Sequence, residues 1–159
     1  LVEQRVERQI VVLELGGAEY GFSADKVQEI VRLVEITPVP ESPKFIKGVI
    51  DYRGDIAVVV DLLARLNMGQ AGTTLATQIV IVEAGKHLVG LVVDKVMDVI
   101  SVLDAGIMTA ATDDALPDDL ITGAYEDGER LLVLLDLDKI LDFNGHDYLT
   151  KTKKKAKGK

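Results

Sequence analysis

The sequence predicts a mainly β protein: two small five-stranded barrels packed around one shared hydrophobic core, with short helices. Three observations carry that expectation. The 159-residue chain repeats itself at offsets of 69 and 75. Its apolar residues fall in short, β-branched runs separated by tight-turn signals, the pattern of a small barrel, which also hides apolar strand edges. Apolar residues make up 48% of the chain, more than two barrels of this size can bury separately. A chain this long buries about 70% of its unfolded surface without a metal or disulfide staple. There is no cysteine, so disulfides, thiolate metal sites and thiol nucleophiles are excluded, and a reducing compartment fits. No apolar run exceeds about six residues against the roughly 20 of a bilayer span, and no secretory leader is visible. A cytoplasmic protein without membrane insertion is the expectation.

The duplication is read from two blocks. Residues 10–31 align without a gap to 79–100, with Ile10, Val11, Glu14, Gly16, Gly21, Asp25, Lys26 and Val27 recurring. Residues 45–66 align to 120–141, with Ile46, Gly48, Val58, Asp61, Leu62 and Leu66 recurring. The six extra residues fall between the blocks, where loops absorb insertions. The units run from about 10–72 and 77–143, inside one domain over 9–149.

Each unit reads in the same order. Val11 to Leu15 and Ile79 to Val82 are β-branched runs, followed by Gly16-Gly17 or Gly85-Lys86 as turns and by second strands around Tyr20–Phe22 or Leu88–Val93. Asp25 and Asp94 are candidates to cap one helical turn, because an aspartate accepts from the free N–H groups at a helix start. Val27–Val31 and Val96–Val102 come next. On Val27–Val31, strict alternation places Val27, Glu29 and Val31 on one face and Gln28 and Ile30 on the other. A loop follows, carrying Pro38, Pro40 and Pro43 in one unit and Asp113, Asp114, Pro117 and Asp118 in the other. Two more strands turn at Tyr52-Arg53-Gly54-Asp55 or Asp127-Gly128-Glu129. DLLARL and DLDKIL close the units as short helices capped by Asp61 and Asp136.

Charge and composition exclude more than they assign. Six lysines crowd the last nine residues; without them, 12 basic side chains face 26 acidic ones. So acidic a body repels nucleic acid and anionic membrane, and residues 150–159 read as a solvated, disordered lysine-rich tail. Seven Phe and Tyr and no Trp are too few for a base-stacking platform or a proline-peptide groove. No nucleophile elbow, phosphate loop, calcium loop or zinc spacing is present, and His87 and His146 stand far apart in sequence. The acidic loop of Asp113, Asp114, Asp118 and Asp119 reads as solvated. No enzyme, cofactor or metal is expected; what remains is a binding or scaffolding protein.

Four stretches, EYGFSADKVQEI, PxxPxFIKGVIDYRGDIAVVVDLLARL, VGLVVDKVMDVI and GERLLVLLDLDKIL, together resemble the chemotaxis coupling family, CheW, from about Gln9 to Phe143. The most specific stretch is FIKGVIxxRGxI followed by DL. Asp51-Tyr52 departs from the Asn-Leu usual in the family, and the lysine tail is not a family feature. The resemblance implies SH3-like barrels and a non-catalytic adaptor linking transmembrane chemoreceptors to the histidine kinase CheA. It further implies a chain that is monomeric alone and assembles into receptor arrays. The kinase's own regulatory domain, or the coupling half of a fused adaptor–receiver protein, shares the same pattern.

The repeat separates scaffold from candidate site. Gly16, Gly21, Gly48 and Asp61 recur and serve turns, close packing and a cap. Arg53 does not, since Gly128 takes its place; Glu29 shortens to Asp98 and is a plausible ion-pair mate for Arg53. The resemblance implies a receptor hairpin docking in the groove between barrels. Val27, Glu29, Ile30, Gly48, Val49, Arg53, Ile79, Val89 and Gly90 are the candidate receptor- and kinase-binding residues.

Overall fold

Residues 6–109 and 120–143 are described by the structure, a computed structural model. The acidic loop from Asp113 to Asp119, His146 and the lysine tail lie outside the described residues. Two runs of strands follow each other along the chain, each ended by a four-residue helix. The first is β1 (Glu7–Leu15), β2 (Ala18–Ser23), a 3-10 turn (Ala24–Lys26), β3 (Val27–Arg32), β4 (Ile46–Tyr52), β5 (Asp55–Asp61) and α1 (Leu62–Arg65). The second is β6 (Gln78–Ala84), β7 (His87–Val93), β8 (Lys95–Leu103), a 3-10 turn (Asp104–Gly106), β9 (Met108–Thr109), β10 (Ile121–Asp127), β11 (Arg130–Leu135) and α2 (Leu137–Ile140).

The strands form two sheets, ordered β8-β1-β2-β11-β10-β9 and β3-β6-β7-β5-β4. The two-residue β9 is a short extension of the first. The predicted mainly β fold is therefore present, but one repeat does not make one sheet. Each sheet takes its inner hairpin from one half of the chain and three strands from the other. The halves meet by antiparallel pairing, β1 with β8 and β3 with β6, and by parallel pairing, β2 with β11 and β5 with β7. Both hairpins lend themselves to the other half in the same way, so the exchange is reciprocal.

Apolar side chains collect in three layers that follow from this arrangement. Val11, Leu13, Leu15 and Phe22 of the first sheet meet Val58, Val60, Val80, Val82 and Leu91 of the second in a shared core, roofed by Leu62, Leu66 and Ile140. Ile50, Ala57, Val59, Ile79, Ile81 and Val92 fill the second sheet from within. Ile10, Val12, Val102, Leu132 and Leu134 fill the first. Period-2 alternation separates the layers: Val58 and Val60 face the shared core, and Ala57 and Val59 face the other way.

Among the described residues no backbone ladder joins the outer strands β3 and β4. Part of that seam is bridged by the connecting segment, where Thr37 and Val49 exchange N–H···O bonds of 2.9 and 2.8 Å. Gly48 lies directly beneath Thr37 with φ +146°; a Cβ there would stand 2.0 Å from the Thr37 carbonyl oxygen. Its repeat mate Gly123 lies equally close beneath Met108, 2.2 Å from that carbonyl.

Asp61 and Asp136 cap α1 and α2 as expected, accepting from the Ala64 and Lys139 N–H groups at 3.3 and 3.2 Å. Asp25 and Asp94 do not play the part expected of them. Ser23 caps the first 3-10 turn, receiving the Asp25 N–H, while Asp94 opens no helix and instead accepts the Gly16 N–H at 2.8 Å. The turn starts two residues earlier than expected, so Asp25 lies inside it and supplies the N–H that Ser23 caps, and a tight β7–β8 connection leaves no room for a helical turn.

Arg65 ties the two helices together. Its guanidinium donates to the Ile140 and Lys139 carbonyls at 2.9 and 3.0 Å and lies 5.2 Å over the Phe45 ring, which meets Phe143 edge-on. Arg65→Ala is expected to lower stability by about 1–2 kcal/mol through two lost charge-assisted bonds and the ring contact. A urea titration reads this as a lower midpoint at unchanged slope. Arg65→Lys, lacking the fork, recovers only part of it.

Candidate functional site at the seam of the second sheet

The expected site residues converge on the second sheet, and the register shows how. Val49, Val58, Val89, Val82 and Val27 are successive cross-strand partners, one row spanning all five strands on the shared-core side. The neighbouring row runs Gly48, Val59, Gly90, Ile81 and Glu29. Val49, Ile79 and Val89 are buried, as are Gly48 and Gly90. Ile79 packs where a side chain on Gly90 would go, 2.7 Å from the missing Cβ. A partner feels these five only through the strands they space. Val27 and Ile30 are half-buried along the rim of the shared core, and Glu29 and Arg53 reach solvent.

The expected alternation on β3 fails at one point. The β3–β6 register shifts between Val27 and Glu29, a bulge that adds one residue and turns Val27 to the same side as Ile30, the shared-core side. Glu29 and Val31 stay on the other side, opposite Ile81 and Ile79. The bulge re-aims Glu29 across the seam toward the end of β4.

There it meets two residues of the β4–β5 hairpin. The Tyr52 hydroxyl donates to Glu29 Oε1 at 2.7 Å, and Arg53 Nη2 pairs with the same oxygen. The Arg53 guanidinium lies 5.3 Å from the centre of the Tyr52 ring. Asp51 Oδ1 accepts the Gly54 N–H at 2.9 Å and tightens the turn. The outer strands of the sheet, unpaired by backbone here, are thus clasped by side chains.

Arg53 has φ +51° and Gly54 +86°, the two left-handed positions of a hairpin turn in which Asn or Asp before Gly is favoured. Arginine is a poor choice for that backbone. Its side chain is 72% exposed, so the ion pair adds at most about 1 kcal/mol. Local stability therefore does not account for the choice of arginine at this position.

The hydrogen bond to Glu29 raises the Tyr52 phenol above its ordinary range; desolvation and the Glu29 charge add to this, and the Arg53 charge opposes it. An ultraviolet titration of the native chain against Tyr52→Phe is expected to place the Tyr52 phenol above its ordinary range, a rise that Glu29→Ala lessens. The folded state holds that proton more tightly than the unfolded one. The associated stabilisation is therefore undiminished below the ordinary phenol range and is lost as pH rises through the Tyr52 pKa.

In the sequence Tyr52 stands out only as a departure from the family pattern and is not among the nine expected residues. The signal that could have found it is the register of the turn, which puts residue 52 at the strand end beside Arg53. A groove of about 500 Å³ opens elsewhere, lined by Arg8, Phe22, Lys26, Asp104, Leu137 and others, and none of the nine expected residues lines it. The candidate site is an exposed ledge, suited to a macromolecular surface. No group of three or more metal-ligating side chains occurs among the described residues, and none of their helices is long and apolar enough to cross a membrane.

A family model described as the CheW-like domain matches residues 9–144. The chain belongs to the CheW-like family. It is 37% identical over 145 residues to the chemotaxis protein CheW of Klebsiella aerogenes, spanning 89% of this chain and 86% of that one. It is 32% identical over 141 residues to chemotaxis protein CheW of Bacillus subtilis, spanning 88% and 90%. Among solved structures, the scaffolding protein TtCheW of Thermoanaerobacter tengcongensis superposes with a TM-score of 0.79 at 30% identity, covering 91% of this chain and 94% of that one. The CheW-like assignment agrees with the two-sheet architecture and with SH3-like barrels.

Proposed function

We propose that this CheW-like chain is a non-catalytic adaptor that holds the cytoplasmic tips of chemoreceptors and the histidine kinase CheA in one assembly. The family match over residues 9–144 carries the reading. The exposed clasp of Glu29, Tyr52 and Arg53, with Val27 and Ile30 on the neighbouring rim, supports it by offering a charged point beside aliphatic surface. The relatives it spans nearly end to end are described as chemotaxis proteins CheW, which favours an adaptor over a kinase regulatory domain or an adaptor–receiver fusion.

Coupling needs no chemistry in this reading. An adaptor that binds two partners at once raises their effective concentration, so individually modest contacts add up to avidity in an array. Signal passes when the receptor's two states bind with different free energies. The chain is monomeric alone, resides in the cytoplasm and joins membrane-associated receptor arrays through its partners. A pull-down with purified CheA and a receptor cytoplasmic fragment tests it. Retention of both, and a ternary complex when mixed, is the expected result; retention of neither rejects the adaptor reading.

A further inference from the structure

We propose that Tyr52 is a positioning residue: by holding Glu29 from one side and carrying the Arg53 guanidinium on its ring, it aims the free edge of that guanidinium at a carboxylate on a partner protein. This deepens the proposed function and rests on its reading of the seam as a docking surface.

Three observations carry it. Glu29 Oε1 receives both the Tyr52 hydroxyl and Arg53 Nη2, so the phenol and the guanidinium are fixed against each other through one atom. Among the described residues the guanidinium is engaged through Nη2 alone, and a second carboxylate from solvent can take the fork formed by the other Nη2 hydrogen with Nε–H or Nη1–H. The device is also confined to one half of the molecule. At the matching positions of the other half stand Asp98, Asp127 and Gly128, and the Asp98 side chain turns back to accept the Val99 N–H at 2.8 Å. The arginine of that hairpin, Arg130, stands two positions later and is turned instead to Asp127 and Glu19, at 2.6 and 3.4 Å, so the two ends of the molecule are chemically distinct despite their common fold.

Aiming matters because a long side chain in water loses rotamer freedom when it docks. A guanidinium already stacked and paired has lost much of it beforehand. Tyr52 therefore strengthens association without touching the partner, and its effect disappears when Arg53 is absent.

The test is a double-mutant cycle on the full chain, measuring affinity for the kinase or receptor fragment with Tyr52→Phe, Arg53→Ala and the combination. Beside it runs a reading that needs no partner: the Arg53 Nε–Hε resonance, identified by its loss in Arg53→Lys. Tyr52→Phe keeps the ring and removes only the hydroxyl. The expected result is a three- to tenfold loss of affinity from Tyr52→Phe in the native background and none on top of Arg53→Ala. The Arg53 resonance should move toward its solvent-averaged position, with the melting temperature lowered only slightly by the lost hydrogen bond. Equal loss in both backgrounds, or an unmoved Arg53 resonance, overturns the proposal. If Arg53→Ala binds as tightly as the native chain, the docking reading fails by itself. The aimed contact falls with it whatever the resonance does, whereas the adaptor reading stands if the pull-down still retains both partners.

Discussion

Gly48→Val is expected to remove about 3 kcal/mol of stability or more, a large share of the 5–15 kcal/mol typical of a domain. Two costs coincide at this position. The backbone φ of +146° is one that a β-branched residue adopts only under strain, and the new Cβ would lie 2.0 Å from the Thr37 carbonyl oxygen. Main chain cannot step aside as a flexible side chain can, so the Thr37–Val49 bridge must open and with it part of the seam between β3 and β4. Two controls separate these costs. Gly54→Ala, at φ +86° with open space around it, bears only the conformational one, about 1 kcal/mol; Gly72→Ala, in open space without a left-handed backbone, should change stability by less than about 0.5 kcal/mol. Urea midpoints rank the three, and amide exchange at Thr37 and Val49 reports the bridge directly. A Gly48→Val protein melting beside the Gly72→Ala control would refute the account.

Arg53→Asn should do the opposite: leave the fold at least as stable and reduce partner binding about tenfold, the equivalent of about 1.4 kcal/mol. Asparagine suits the left-handed first position of the hairpin better than arginine does, so the turn gains what the ion pair loses. Arg53→Glu should weaken binding further, because it sets a second carboxylate beside Glu29 while circular dichroism stays native. Binding by Arg53→Asn that matches the native chain would remove Arg53 from the docking surface. The opposed signs of the two measurements make this variant more telling than a plain alanine, which confounds backbone strain with the loss of the guanidinium.

Local chemistry made much of this molecule legible beforehand. The gapless offset of 69 placed Val27 with Val96 and Glu29 with Asp98, and both pairs occupy matching points of β3 and β8. Asp61 and Asp136 act as caps because capping depends on three or four neighbouring residues. The bulge before Glu29 was not legible: Gln28 is an ordinary strand residue, and only the pairing with β6 shows that it is one too many. The parallel pairing of β2 with β11 is invisible for the same reason, since a ladder leaves no mark on composition. Valine and isoleucine serve interior and rim alike, so Ile79 and Val89 could not be told from Val27 and Ile30 before the sheets were assembled. Glu29 and Arg53 could be paired from chemistry alone, whereas Tyr52 joins them through a turn register that only the folded hairpin displays.

Because each half of the chain completes the other's sheet, a single cut within residues 67–77 would leave two peptides, each with its own hairpins but neither with a complete sheet. Expressed apart, they are expected to be unstructured; mixed, they should regain structure in a one-to-one complex at a rate that depends on concentration. In its strand exchange the present molecule is an intertwined dimer of two unlike halves written on a single polypeptide.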